Sequence, residues 1–284
     1  MICAWKEFVG ILPEWMRLDV DRCGRIALQE LRLRLGKPPE LILGSESIWL
    51  NRTVASEDLK FCVNTASRYS PWSAESVSSG YITAPGGHRI GLCGEAVVNN
   101  GEVHGIRSLS SLCIRVARDF PGIAATLAEK PGSVLILGSP GSGKTTLLRD
   151  LIRHISNKDS GSIAVVDERG ELFPTRSGQA CFDAGKRTDV LSGCGKQHGI
   201  DMVLRTMGPA TIAVDEITAE SDCEALLRAG WCGVRLLATA HASGMADLRS
   251  RPIYRKLWEC GLFGRAVVLR KDKTWTLERM VTCA

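Results

Sequence analysis

The chain has 284 residues, of which 44% are hydrophobic, and 36 Lys and Arg stand against 31 Asp and Glu for a formal net charge of +5. A chain of this length and hydrophobic content can bury the core of one large or two ordinary domains, so a disordered protein is excluded. The small charge, spread without long blocks of one sign, permits a nucleic acid or an acidic membrane as partner but does not indicate one.

The start of the chain and the cysteines indicate the compartment. Charged residues within Met1–Glu7 interrupt the apolar core that a secretory signal needs, and no run of about 18 apolar residues occurs. We therefore expect a cytoplasmic protein.

The 11 cysteines are odd in number, form no CxxC pair and scatter from Cys3 to Cys283. This pattern favours reduced, mostly buried thiols over a zinc site or a disulfide framework.

The first part of the chain, residues 1–120, is predicted to form a small mixed α+β domain. Leu28, Leu31 and Leu35 are spaced for one face of a helix over 26–35, which a following glycine and proline would end. Runs of apolar residues bounded by turn formers predict short strands and a hairpin. These elements are strands over 40–43, 47–50 and 90–93, a glycine-rich turn over 83–89 and a hairpin turn at Asn99-Asn100-Gly101.

Residues 121–284 alternate strands, glycine loops and helices, which is typical of a parallel sheet flanked by helices. The boundary between the two domains is placed near Phe120-Pro121-Gly122. The predicted elements are strands over 133–137, 162–166, 210–214 and 235–239, a helix over 144–155, and a terminal hairpin from 266–270 and 274–278.

A glycine-rich segment between the first of these strands and the helix matches the phosphate-binding pattern G-x-x-x-x-G-K-[ST]. Its glycines let backbone amides turn inward, and the helix N-terminus adds partial positive charge, so the segment can cradle the phosphates of ATP. Lys144 is expected to reach the β- and γ-phosphates, and the Thr145 hydroxyl to bind Mg²⁺. The pattern predicts an α/β P-loop NTPase fold of the RecA/AAA-like type. The predicted nucleotide-binding residues are Gly138, Ser139, Pro140, Gly141, Ser142, Gly143, Lys144, Thr145 and Thr146.

Three predicted strands end in polar residues that would meet at one edge of a parallel sheet. Asp215 is expected to hold Mg²⁺, and Glu216 is placed to orient or deprotonate the attacking water. Glu168 follows a second apolar strand and is a rival for the same water, so the choice between the two glutamates stays open. Thr239 and His241 end the third strand, where a polar side chain can sense the γ-phosphate.

Arginines that precede the nucleotide-binding domain are candidates for a finger, supplied by the same or an adjacent subunit, that stabilises charge on the transferred phosphoryl group. A surface arginine in an ordinary ion pair is an equally good interpretation of any one of them. The candidates are Arg89, Arg107, Arg115 and Arg118.

The order of these motifs resembles the secretion-type traffic ATPases of type II and type IV systems. Further segments resemble more closely the stage III sporulation protein AA family of endospore-forming bacteria. This resemblance implies a hexameric ring that couples ATP hydrolysis to a membrane channel between mother cell and forespore, held at the membrane through an integral membrane partner. The segments are residues 30–38, 86–91, 106–107 with 114–118, and 185–191.

Two other functions stay open on the residues alone. A nucleic-acid-binding P-loop ATPase would grip RNA or DNA with the basic residues of the first domain. No RNA-binding signature or aromatic-rich basic stripe occurs, so nucleic acid is not indicated. A small-molecule phosphotransferase would need an acceptor pocket and a lid.

Overall fold

The computed structural model describes residues 1–67, 80–130, 132–158, 161–176 and 179–280. The chain divides into two compact units, Met1–Asp119 with Arg176–Cys181 and Phe120–Thr175 with Phe182–Ala284. None of the helices in these described ranges is long and apolar enough to cross a membrane.

The described cysteines are all free thiols, whereas Cys283 lies outside the described residues. The expectation of mostly buried thiols is wrong, because Cys62 and Cys223 are buried but several others are exposed. A thiol is small enough that an exposed position costs little free energy. The exposed cysteines are Cys23, Cys93, Cys232 and Cys260.

In its described residues, the first unit is an antiparallel sheet that shares its core with three helices. Trp5, Phe8 and Met16 of the first two helices pack in one cluster with Leu31 and Leu33 of the sheet. The helices are α1 (Trp5–Gly10), α2 (Glu14–Gly24) and α3 (Ser56–Ser67). The strands are β1 (Glu30–Arg34), β2 (Glu40–Leu43), β3 (Glu46–Trp49), β4 (Tyr81–Thr83), β5 (Arg89–Asn99) and β6 (Glu102–Arg115), in the order β3-β2-β1-β6-β5-β4.

The segment predicted as a helix over 26–35 contains strand β1 instead, so the helical prediction is wrong. Leu31 and Leu33 are fully buried, and the charged residues beside them face the other way. Leu35, which helical spacing would bury with Leu31, is 48% exposed. Leucine alternates with charged residues over 30–35, which is the two-residue period of a strand, and β1 is hydrogen-bonded to β2 and β6.

Leu33→Ala is expected to lower the free energy of unfolding by about 2–5 kcal/mol, because it removes a buried side chain and leaves a cavity. Leu35→Ala is the matched control and is expected to cost about 1 kcal/mol or less, since the side chain is half exposed. Urea unfolding followed by tryptophan fluorescence measures both. Equal losses for the two variants would contradict the strand assignment.

The second unit is built on a largely parallel sheet with helices between its strands, which confirms the predicted α/β fold. The strands are β7 (Val134–Gly138), β8 (Ile163–Asp167), β11 (Thr188–Ser192), β12 (Thr211–Ile217), β13 (Arg235–Ala240), β14 (Arg265–Leu269) and β15 (Trp275–Arg279). A separate ribbon of β9 (Thr175–Arg176) and β10 (Gln179–Ala180) lies mostly in the segment Arg176–Cys181, which belongs to the first unit. The helices are α4 (Ala125–Ala128), α5 (Lys144–Lys158), α6 (Lys196–Thr206), α7 (Glu220–Trp231), α8 (Met245–Ser250) and α9 (Pro252–Glu259).

The strand order β11-β8-β12-β13-β7-β14-β15 places the chemically important strands side by side. All neighbours are parallel except the terminal hairpin of β14 and β15. The carboxyl ends of β8, β12 and β13 therefore lie at one edge, next to the loop that follows β7. The predicted strands of this unit and the terminal hairpin are confirmed. Strand β11 was not predicted, since only two of its residues, Val190 and Leu191, are apolar.

Candidate functional site

The loop between β7 and α5 has a backbone that requires glycine. Gly141 and Gly143 have φ of +71° and +104°, in the left-handed region that other residues rarely adopt. A Cβ at Gly138 would lie 2.5 Å from the Ser142 hydroxyl and 2.8 Å from the Leu269 carbonyl oxygen. The Ser142 hydroxyl is buried and has no hydrogen-bond partner among the described residues. An unpaired buried hydroxyl in a tight loop suits a ligand rich in oxygen, such as a phosphate chain.

Lys144 begins α5 and is 6% exposed. Its ammonium donates to the Ser139 carbonyl oxygen and to Nδ1 of His241, each at 3.1 Å. Burial lowers the pKa of Lys144, and the charges of Asp215 and Glu216 act against that shift. The lysine therefore lies inside the site, at the point where the phosphate loop meets the end of β13. The other predicted loop residues flank it: Pro140 is exposed, and Thr146 is half-buried in the first turn of α5.

Thr145 and Asp215, the two residues predicted to hold a metal, are in direct contact. The Thr145 hydroxyl donates to Oδ2 of Asp215 at 2.7 Å, and the Thr239 hydroxyl donates to Oδ1 at 2.6 Å. A threonine hydroxyl beside a carboxylate is a donor set that Mg²⁺ takes with phosphate oxygens and water. The described residues hold no group of three or more His, Cys, Asp and Glu side chains that could bind a metal without such help.

Burial raises the pKa of Asp215, and the nearby charges of Glu171 and Asp167 add to the rise. Hydrogen bonds from Thr239 and Thr145 oppose it without cancelling it. Because the folded pKa is above the unfolded value of about 3.9, the stability linked to this carboxyl is complete below that value and is lost as the pH rises through the folded pKa. The carboxylate of Asp215 therefore costs stability at neutral pH.

Asp215→Asn is expected to raise the midpoint of thermal unfolding at pH 7 by about 2–4 °C in the absence of nucleotide. Asparagine has nearly the same shape as aspartate, so the substitution removes the buried charge without changing the packing. The same change is expected to remove the stabilisation that Mg·ATP adds to the wild type. Calorimetric melts with and without Mg·ATP measure both effects.

Asp201→Asn is the control for this pair of melts, since it breaks an ion pair with Arg228 that is partly exposed. It should lower the midpoint slightly and leave the Mg·ATP shift intact. A fall in stability for Asp215→Asn together with an undiminished Mg·ATP shift would contradict the assignment of a metal-binding carboxylate.

Glu216 has an unusual backbone, with φ of +58°, at an irregularity in the pairing of β12 with β13. Its amide donates to the Thr239 hydroxyl at 2.8 Å, which holds this conformation. A strained non-glycine residue and a bulge are features that cluster at active sites, because they aim a side chain. Here they direct the carboxylate to His241 and to Arg169, whose guanidinium lies 3.4 Å away.

The pKa of Glu216 is lowered even though burial alone would raise it. The hydrogen bond with His241, together with the charges of Arg169 and Lys144, outweighs the burial. Because Lys144 donates to Nδ1 of His241, Nε2 is the ring atom that donates to Glu216. Lys144, His241 and Glu216 thus form one chain of contacts across the ends of β12 and β13.

Glu168 follows β8 and contacts the ammonium of Lys196 rather than His241. Asp167, the residue before it, accepts hydrogen bonds from the amides of Glu171 and Phe173, each at 2.9 Å, and so shapes the loop after β8. The two glutamates considered for water activation therefore differ: Glu216 is bonded to a histidine and Glu168 is paired with a lysine.

The candidate finger arginines all belong to the first unit. Arg107 and Arg115 are exposed and pair with Glu95 at 3.0 Å and Glu30 at 3.3 Å. The Arg118 guanidinium donates to the carbonyl oxygen of Leu28, and burial lowers the pKa of Arg118. Arg118 therefore links two segments of its own unit. Arg89 stacks on the ring of Tyr81 at 4.1 Å.

Three further cations near the site were not predicted. Arg169 contacts Glu216, Lys196 contacts Glu168, and Lys273 donates to the Gly141 carbonyl oxygen at 2.5 Å from the turn between β14 and β15. Each partner lies far away in sequence, so no local pattern identifies these contacts. A lysine in the charged turn of the terminal hairpin is common on solvated surfaces and is not by itself a signal.

The sequence model of the family described as "Sporulation stage III, protein AA" matches residues 15–278. Stage III sporulation protein AA of Bacillus subtilis (strain 168) is 36% identical over 281 residues, which cover 94% of this chain and 92% of that protein.

Among solved structures, the ATPase DotB of Legionella pneumophila has a TM-score of 0.61 at 18% identity, over 94% of this chain and 80% of that one. The pilus retraction motor PilT with bound ADP has a TM-score of 0.61 at 14% identity, over 94% and 82%. At these identities the two structures share the fold with this chain.

Proposed function

We propose that this chain, which belongs to the sporulation stage III protein AA family, is an ATP-hydrolysing motor that works as an oligomeric ring on a secretion-type membrane channel. Its α/β fold is shared with DotB, an ATPase, and with PilT, a pilus retraction motor. The observation that carries the proposal is the 2.7 Å contact between the Thr145 hydroxyl and the Asp215 carboxylate, directly behind a phosphate loop.

ATP is proposed to bind with its phosphates in the loop from Gly138 to Thr146. The backbone amides and the Ser142 hydroxyl donate to phosphate oxygens, and Lys144 reaches the β- and γ-phosphates. Thr145 and Asp215 hold Mg²⁺, which when bound supplies the positive charge that neutralises the phosphates. Lys144 exchanges its contacts with Ser139 and His241 for contacts with the nucleotide.

Glu216 is proposed to orient the attacking water and accept its proton. Its pKa is lowered, so the carboxylate is ionised at neutral pH and can accept a hydrogen bond and then the proton from the water. His241 lies between Lys144 and Glu216, so loss of the γ-phosphate at Lys144 is transmitted to the ends of β12 and β13. Differential binding of ATP and ADP to two conformations is what allows hydrolysis to do work.

The channel, the ring and the place of action are further parts of the proposal. A homo-oligomer, with six subunits as the resemblance implies, would let Arg107 or Arg115 of one subunit serve as a finger for another. Both guanidinium groups are largely exposed, which suits them to such a role better than Arg118. We place the protein in the cytoplasm, held at the membrane through an integral membrane partner.

The oligomer is expected to form or grow when a non-hydrolysable ATP analogue binds. Sedimentation with and without the analogue measures the size of the oligomer.

Arg107→Ala and Arg115→Ala are each expected to leave ATP binding intact. The variant that removes the finger should lower ATP turnover about 1,000-fold. A monomer under both conditions would leave a finger from another subunit without a donor.

Phosphate release in the presence of Mg·ATP tests the enzymatic part of the proposal. Release is expected with Mg²⁺, and none with EDTA, because Thr145 and Asp215 alone provide too few ligands to keep a trace metal. No phosphate should appear on small-molecule acceptors. Salt-dependent binding of single-stranded or duplex probes that also stimulates hydrolysis would instead favour the nucleic-acid-binding ATPase.

A further inference from the structure

Lys196 is a buried cation that the roles proposed above do not use. Its side chain is 5% exposed, and its ammonium contacts Oε2 of Glu168 and lies 3.8 Å from Oδ2 of Asp222. Asp222 is itself buried, at 6% exposure. Taking an ammonium out of water is costly unless it is paired, so these two carboxylates account for its stability there.

The position of Lys196 conflicts with helix electrostatics. It is the first residue of α6, where the positive end of the helix dipole repels a cation. A lysine that is buried, and also at the unfavourable end of a helix, breaks two local rules at once. Such violations are expected at functional sites, where another requirement outweighs stability.

The packing of α6 on β8 is what brings Lys196 to the end of that strand. At Gly199 an added Cβ would lie 2.4 Å from a methyl carbon of Val166 and 3.0 Å from the sulfur of Cys194. The helix therefore rests directly on β8 at a position without a side chain. This close approach places Lys196 beside Glu168, which follows β8 by one residue.

On its other side Lys196 faces the segment that leaves the acidic strand. Asp222 accepts hydrogen bonds from the amides of Thr218 at 3.0 Å and Ala219 at 3.1 Å. These residues follow β12 and lead into α7. Lys196 thus connects the residue after β8 to the loop after β12, through one contact and one near contact between charged atoms.

Glu168 and Lys196 line a small cavity together with Asp215 and Glu216. Its volume is about 10 Å³, close to the smallest that admits one water molecule. Because Lys196 contacts one carboxylate oxygen of Glu168, the other can accept a hydrogen bond from a water in the cavity.

We propose that Lys196 is a positioning residue for ATP hydrolysis: it holds the Glu168 carboxylate at the wall of this cavity, so that Glu168 orients the water that Glu216 activates. Lys196 acts through Glu168 and does not touch the nucleotide. The inference rests on the proposed ATPase function. It assigns the two acidic strand ends different tasks, with Glu216 as the base and Glu168 as a second hydrogen-bond acceptor for the water.

The test measures kcat and KM for Mg·ATP in Lys196→Met and Lys196→Arg, each made in the wild type and in Glu168→Gln. Lys196→Met is expected to lower kcat about tenfold or more in the wild type, with KM changed less than about twofold. In Glu168→Gln the same change is expected to lower kcat less than about twofold, because the carboxylate it positions is gone. Lys196→Arg keeps the charge and should recover part of the lost kcat.

Lys256→Met is the matched control, since Lys256 pairs with Glu224 at 3.1 Å on the exposed face of α9. It should leave kcat unchanged. Equal losses of kcat in both backgrounds, a rise in KM in place of a fall in kcat, or an unchanged kcat would each overturn the inference.

If Lys196→Met does not fold, the comparison of Lys196→Arg in the two backgrounds decides. In Lys196→Arg the guanidinium does not occupy the position of the lysine ammonium. The substitution is therefore expected to lower kcat more in the wild type than in Glu168→Gln, and equal effects would overturn the inference. These results are distinct from failure of the proposed function, in which the wild type itself would release no phosphate from Mg·ATP.

Discussion

Lys144→Ala is expected to weaken ATP binding about 30-fold or more and to reduce turnover below detection. The ammonium lies inside the site with its donors directed at Ser139 and His241, so its removal takes away the cation that we propose contacts the β- and γ-phosphates. Loss of one member of a buried charge pair costs about 2 kcal/mol or more, which corresponds to this factor. Isothermal calorimetry with Mg·ATP and a phosphate-release assay measure the two effects.

The matched control is Lys256→Ala, on α9 and away from the phosphate loop. It should bind and hydrolyse ATP as the wild type does. The Lys144→Ala protein should also melt close to the wild type without nucleotide, because burial already disfavours the charged lysine. Unchanged heat of ATP binding in Lys144→Ala would mean that the phosphates lie elsewhere.

Glu216→Gln is expected to bind ATP with nearly unchanged affinity and to lower kcat by about 100- to 1,000-fold. The amide keeps the size of the side chain but cannot accept the proton of the water, a step that contributes a factor of this order. The substitution also removes the negative charge that faces Arg169 and Lys144 in the wild type. Single-turnover hydrolysis of pre-bound ATP separates this loss from any change in binding.

Glu168→Gln is the informative comparison, because both substitutions change a glutamate at a strand end to its amide. Its expected loss of kcat is about tenfold, the effect of a group that orients the water without taking its proton. A larger loss for Glu168→Gln than for Glu216→Gln would reverse the assignment. Turnover unchanged in both variants would remove the acidic strand ends from the mechanism altogether.

The strands and turns with strong local patterns were predictable from the sequence. The apolar run 133–137 and the glycines after it predicted β7 and its loop, since buried strands and tight turns each have their own residue preferences. Strand β1 was predictable as well, but the helical interpretation of residues 26–35 missed its signal. Leu31 and Leu33 alternate with charged residues, a two-residue period that places both leucines on one face of a strand and on opposite sides of a helix.

The candidate site was predictable in its components but not in its connections. The sequence placed Asp215, Glu216 and His241 at strand ends, and the strand order brings them together at one edge of the sheet. The pairing of Glu168 with Lys196 depends on how α6 packs on β8, and the contact of Lys273 with Gly141 depends on the hairpin that follows β14. No residue spacing within one segment encodes either contact.

By itself the sequence determined the phosphate loop and the parallel-sheet fold that surrounds it, because both follow from the conformational and burial preferences of contiguous residues. The tertiary structure alone decided which partner each acidic strand end has, Lys196 for Glu168 and His241 for Glu216. The physical reason is that these pairings are contacts between residues far apart in the chain. Such contacts form only once the sheet and its helices have assembled.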